Sequence, residues 1–251
     1  MVSGDRDAFT NSTSAVPLPE SVKTENFGRV LLVFGLDTNV YKVALQLTQL
    51  ASYLDPQSIR TSAYASTGSY RVDPNRKQEF VSVFGAIQLD YDLDVEIDLI
   101  ELLNNSEIHG VPDYTTISIG RVVRILPPVS PFLLLLGAQR KRGISVAQFS
   151  QHWANVHAPN AVAELREAPV PIGYDLFLVD ADLSEAATSQ YWQSSGIDGW
   201  MHITTGSNDD FSKIASTPEH RKWVLEDEAN FVNFESPLVG QQLKIIDSET
   251  P

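Results

Sequence analysis

His157 is the side chain with the clearest claim to chemistry. An imidazole has an ordinary pKa of about 6.5, so it takes up and returns a proton near neutrality. Phe149, Trp153, Val156 and His157 fall at i, i+4, i+7 and i+8, positions that share one helix face. His157 therefore sits at the edge of an apolar stripe. Pro159 cannot donate to the carbonyl of Asn155, and its ring crowds that turn. The helix is expected to kink or restart there, leaving backbone carbonyls unpaired beside the imidazole. The competing reading is a core-edge histidine bonded to the broken turn.

Four more residues could share a site with it. Trp200 and His202 alternate onto one face of a strand over 199–205, and Tyr174 lies on a strand over 172–180. Trp153 stands one turn before His157. Trp153, Tyr174 and Trp200 offer flat walls for an aromatic ligand, or else fill a core. His109 and His220 are expected at the surface. His152 points about 100° away from Trp153 on an ideal helix, so it and His157 are not both expected inward.

Several chemistries are excluded or unsupported. There are no cysteines, which removes disulfides, thiolate zinc sites and cysteine nucleophiles. The spacings among His152, His157 and His202 match no metal-ligand pattern, so no metal is expected. No glycine-rich phosphate loop occurs, so no nucleotide cofactor is expected either. What remains is cofactor-free acid–base chemistry.

The elements that must position these groups follow from local signals. Pro131 to Leu136 is a short apolar run that reads as a buried strand. Arg140-Lys141-Arg142 makes a basic turn ending at Gly143, and Ser145 with Gln148 has capping-box spacing for the helix carrying His157. Upstream, residues 1–27 read as a flexible tail. Strands are expected over 29–36, 59–66, 87–103 and 114–126, a helix over 40–54 and a short helix over 76–84. The segment 87–103 alternates, with Leu89, Tyr91, Leu93, Val95, Ile97 and Leu99 opposite a row of acids from Asp90 to Asp98. That row reads as a solvated face resisting edge pairing, with a cation surface as the rival reading. Downstream come strands over 172–180, 199–205 and 243–246 and helices over 183–193, 209–215 and 217–230. Pro127-Pro128 marks a boundary. The order of elements before it resembles the order after it, which predicts a diverged internal duplication with halves 28–128 and 129–251.

The second half resembles the EthD-domain family. The resemblance is carried by Arg140-Lys141-Arg142-Gly143-Ile144-Ser145, Phe149, His152-Trp153 and His157-Ala158-Pro159. It continues through Gly196-Ile197-Asp198-Gly199-Trp200, Asp209-Asp210-Phe211, Thr217-Pro218-Glu219-His220 and Asp227-Glu228-Ala229-Asn230-Phe231. It spans roughly 131–247, and the first half shows no clear signature. The family implies an α+β, ferredoxin-like fold in which two sheets, usually from two chains, pack as a dimeric α+β barrel. Here both sets of elements occur in one chain, which predicts two ferredoxin-like halves closing a barrel within it. A homodimer is also compatible with the resemblance. An apolar cavity between or beside the sheets is expected to hold the site.

The resemblance further implies a lyase, a dehydratase or decarboxylase, acting on an aromatic or polyketide-type small molecule in secondary metabolism. His157 would be the base and His202 or Tyr174 the donor. An isomerase or cyclase, a cofactor-independent oxygenase and a non-catalytic binding protein are the alternatives. Composition fits a globular protein: 251 residues, 43% hydrophobic, 20% charged. The net charge of −14 repels phosphate backbones and anionic membranes, so neither nucleic acid nor membrane is an expected partner. The N-terminal stretch lacks the build of a signal peptide, which predicts a cytoplasmic location.

Overall fold

A computed structural model describes residues 27–35, 59–68, 79–94, 115–189, 192–214 and 218–246. The tail over 1–26, the expected helix over 40–54 and the segment 95–103 lie outside the described residues, as does His109. The first elements are β1 (Phe27–Phe34), β2 (Ile59–Ser66), β3 (Phe80–Ser82), β4 (Gly85–Asp92) and β5 (Thr115–Leu126). Then come β6 (Phe132–Ala138), α1 (Val146–His152), a π-helical turn (Trp153–His157), α2 (Ala158–Arg166) and β7 (Ile172–Asp180). Last are α3 (Ala181–Ala186), β8 (Gln193–Ser194), β9 (Gly199–Thr205), α4 (Asp210–Ile214), α5 (Pro218–Phe231) and β10 (Leu238–Ile245).

Eight strands close into a barrel in the order β1-β4-β2-β10-β6-β9-β7-β5, with β5 returning to pair with β1. All eight pairings are antiparallel. The short strands β3 and β8 add to β10 and β5 in parallel. Closure leaves no open sheet edge around the ring. The order β5-β1-β4-β2 has the same pattern as β10-β6-β9-β7, and the two sets meet at β2–β10 and at β7–β5.

Period-two alternation sorts each strand into a lumen face and an outer face. On β1, Leu31 and Val33 point inward to an apolar cluster with Leu135, Phe177, Val179 and Trp200. Val30, Leu32 and Phe34 point outward to a second cluster with Ile117, Ile119 and Trp192. Both faces of β1 are buried, which is why Val30 to Phe34 run apolar without a break, with Arg29 the one charged residue of the strand. A third cluster lies outside β7 and β9, where Tyr174, Leu176 and Ile203 meet Phe149, Trp153, Val162 and Phe231. No helix among the described residues is long and apolar enough to cross a membrane.

Two expectations about the first half are corrected. Residues 80–82 are a strand rather than part of a helix, because they pair with the start of β10. The acidic face of the 87–103 segment is not on a sheet edge where it is described, and it is not solvated at Asp90. β4 lies between β1 and β2, and Asp90 is buried inside the barrel beneath Arg29. Asp92 is exposed, and the chain turns at residues 93–94.

Candidate active site

His157 owes its position to a sequence of local devices. Gly143 adopts φ +89, a conformation that admits the tight turn after the basic run. Ser145 Oγ accepts from the Gln148 amide at 3.1 Å while Gln148 Oε1 accepts from the Ser145 amide at 2.8 Å. This reciprocal cap, contributing about 1 kcal/mol, starts α1. The helix then widens. The Ala158 amide bonds back to the carbonyl of Trp153, five residues earlier, so residues 153–157 form one π turn. The break expected around Pro159 is therefore a π bulge, with α2 resuming at once. Asn160 Nδ2 donates to the Val156 carbonyl at 3.0 Å, supplying a side-chain donor at the disturbed turn.

The π turn has a chemical consequence. On a regular α-helix, residues five apart point about 140° from each other. The wider turn brings them back onto one side, and His152 and His157 both reach Asp227 of α5. His157 Nδ1 lies 2.8 Å from Asp227 Oδ2, and His152 Nε2 lies 2.9 Å from Asp227 Oδ1. A carboxylate only accepts, so each facing ring nitrogen carries the proton. That tautomer leaves the lone pair of neutral His157 on Nε2. Ser145-to-Gln148 spacing announced the helix, but the pairing with Asp227 had no local signal. Its residues lie 70 positions apart.

Aromatic rings enclose the dyad. Trp223 stacks on His157 at 5.6 Å and 16°, and Phe231 lies 5.4 Å from it. Phe231 also packs 5.8 Å from Trp153. Trp153 approaches the sheet closely because Gly199 has no side chain: a Cβ there would stand 2.6 Å from the indole. Tyr174 joins the same cluster from β7. Burial holds its phenol well above the ordinary range; the nearby Trp153 indole N–H pulls the other way, and the charge of Glu228 adds to the rise. Tyr174 Oη and Trp153 Nε1 are both buried, and neither meets hydrogen-bond geometry with a partner among the described residues.

His202 and Trp200 occupy a different place. Both point into the barrel lumen, on the opposite face of β9 from the helix layer. Trp200 lies over Gly137, where a Cβ would stand 2.7 Å from its ring, and its Nε1 donates to Ser118 Oγ at 3.0 Å. Beside it the lumen is ionic, which corrects the expected apolar cavity between the sheets. Arg29 donates to Asp90 through Nε at 2.6 Å and through Nη2 at 3.0 Å. It also reaches Asp175 at 3.3 Å, to which Arg124 donates at 3.2 Å. Gln88 Nε2 donates to Asp90 at 2.9 Å.

Arg29 Nη1 lies 2.9 Å from His202 Nδ1. A guanidinium has no acceptor, so His202 Nδ1 must accept and its proton sits on Nε2. Burial and the adjacent Arg29 charge hold the His202 pKa well below 6.5. His202 is thus a neutral hydrogen-bond donor, and its Nε2 has no partner among the described residues. The five sequence candidates fall into two groups: His157, Trp153 and Tyr174 in the helix layer, and His202 and Trp200 in the lumen. The expected opening of His157 into the hollow between the sheets is corrected: the sheet separates it from His202. The His220 side chain lies outside the described residues. Among the described residues no group of three or more His, Asp or Glu is arranged so that it could hold a metal ion.

Residues 141–235 match the EthD domain, within the stretch that carried the sequence resemblance. No curated protein matches the chain in sequence. Among solved structures, an anthrone oxidase-like protein superposes with a TM-score of 0.55 at 10% identity, covering 92% of this chain and 95% of that one. A mutant chlorite dismutase from Candidatus Nitrospira defluvii, in complex with cyanide, gives a TM-score of 0.47 at 8% identity, covering 90% and 92%. At these identities the likeness is one of fold.

Proposed function

We propose that the protein is a cofactor-free lyase for an aromatic or polyketide-type small molecule, with His157 as the catalytic base. The observation that carries this reading is the buried His157–Asp227 pair, 2.8 Å apart and enclosed by aromatic rings. Asp227 sets the His157 tautomer and stabilises the imidazolium formed when Nε2 takes a proton, the division of labour seen in other base–carboxylate pairs. π bulges are frequent at functional sites, which supports the same assignment.

In the dehydratase form, His157 Nε2 removes the proton beside a substrate carbonyl, and the electron pair moves onto the carbonyl oxygen. Tyr174 Oη and Trp153 Nε1, two buried donors in the same cluster, would stabilise that oxyanion. The enolate then collapses, expels the β-hydroxyl group, and the leaving oxygen takes the proton from the His157 imidazolium. The products are the conjugated ketone and water. The EthD match and the anthrone oxidase-like fold are compatible with an aromatic substrate. The repeated strand order further supports two ferredoxin-like halves in tandem, 28–128 and 129–251, of which the second carries the site.

The test is turnover of aromatic β-hydroxy ketones followed by mass spectrometry. A product lighter by one water, or by CO₂ from a β-keto acid, supports the lyase. A product of unchanged mass indicates an isomerase or cyclase, and binding without turnover indicates an accessory protein. His157→Ala that stays folded with full activity would remove the base assignment.

A further inference from the structure

We infer that His152 is a positioning residue: through Asp227 it fixes the nitrogen on which His157 holds its proton, and it tunes the strength of His157 as a base. The inference rests on the reading of His157 as the base and extends it to a residue that does not touch the substrate. The geometry is specific. One carboxylate serves two imidazoles, one oxygen each, at 2.8 and 2.9 Å. The rings differ in exposure: the His157 side chain is 6% exposed and that of His152 27%. His152 is therefore the member of the trio that exchanges protons with solvent readily.

Two effects follow. As a donor, His152 holds Oδ1 and so keeps Oδ2 turned toward His157 Nδ1. Without that second donor the carboxylate can rotate, and the His157 proton is no longer confined to Nδ1. As a charge, protonated His152 competes for Asp227 and weakens the stabilisation of the His157 imidazolium. Asp227 of α5 is the charge that faces both rings. Its neighbour Glu228 acts on Tyr174 of β7, and Lys141 Nζ donates to the Ala229 carbonyl of α5. Phe231, 4.8 Å from the His152 ring, supplies an uncharged wall. The π turn makes the arrangement possible, since it alone puts residues 152 and 157 on one side.

Nitrogen-15 NMR of the histidine-labelled protein reads the tautomer without any substrate, alongside pH–rate profiles for His152→Gln and His152→Leu. His157 should hold its proton on Nδ1 in the parent and in His152→Gln, which retains a donor. In His152→Leu the two tautomers should mix, and kcat should fall roughly 10-fold, the low end for an outer partner of an oriented imidazole, with KM unchanged. In His152→Gln, which carries no competing positive charge, the acidic limb of the rate profile should move to higher pH. An unchanged tautomer in His152→Leu with unchanged profiles overturns the inference. If His152→Leu fails to fold, the same tautomer measurement on His152→Ala decides: His157 still confined to Nδ1 there overturns it. Absence of turnover in the parent sinks the lyase reading, while the NMR result still judges the role of His152.

Discussion

Asp227 and Arg29 each organise a buried polar cluster, with different expected consequences of removal. Asp227→Asn keeps the shape but offers an amide that can donate to His157, inviting the wrong tautomer. We expect kcat to fall by about 10²- to 10⁴-fold with little change in melting temperature; equal rates for parent and variant would contradict the role given to the pair. Arg29 is a matter of stability. Its removal leaves Asp90 and Asp175 buried without their shared counter-charge. Arg29→Met should cost about 3–5 kcal/mol in denaturant unfolding. Combining Arg29→Met with Asp90→Leu should cost less than Arg29→Met alone, which a double-mutant cycle measures.

Among the elements, the π turn and β9 depend on each other. Trp153 leaves the helix at its widened turn and settles on the bare backbone of Gly199. A methyl group at 199 would meet the indole at 2.6 Å and Phe149 at 3.2 Å. Gly199→Ala should therefore destabilise by about 1–3 kcal/mol. It should also perturb activity, because the displaced indole carries the Nε1 donor beside Tyr174; a variant with parental stability and rate would show that the contact relaxes freely. The β2–β10 seam predicts a second element-scale behaviour. Among the described residues it has three register pairs, against seven between β5 and β7. Amides of residues 64–66 should exchange with solvent earlier than those of β5, as native-state hydrogen exchange will show.

Across the whole molecule, the lumen couples folding to pH. His202 is neutral in the barrel, with its pKa held well below 6.5 by burial and by Arg29, but titrates normally when unfolded. Below about pH 6.5 the unfolded chain therefore binds more protons than the folded one, and stability falls as pH drops toward the depressed folded value. This contribution is fully present above the unfolded pKa. His202→Gln should flatten the decline between about pH 7 and 5 in chemical-denaturation curves; an unchanged slope would show that other groups set it.

Local signals determined much of this protein. Ser145 and Gln148 announced their helix, alternation placed Trp200 and His202 on one strand face, and the residue pattern around His157 carried the EthD resemblance. These features depend on neighbours a few positions away, and period and propensity report them directly. The partners of the ionisable groups were decided only by the tertiary structure. Asp227 lies 70 residues from His157, and Arg29 lies 146 from Asp175. Alternation showed that Asp90 opposes Leu89 on its strand, but not which face would be buried, because that is fixed by barrel closure. A helix periodicity of 3.6 likewise set His152 apart from His157, and only the π turn, adopted where the chain packs against α5 and β9, brought the two onto one carboxylate.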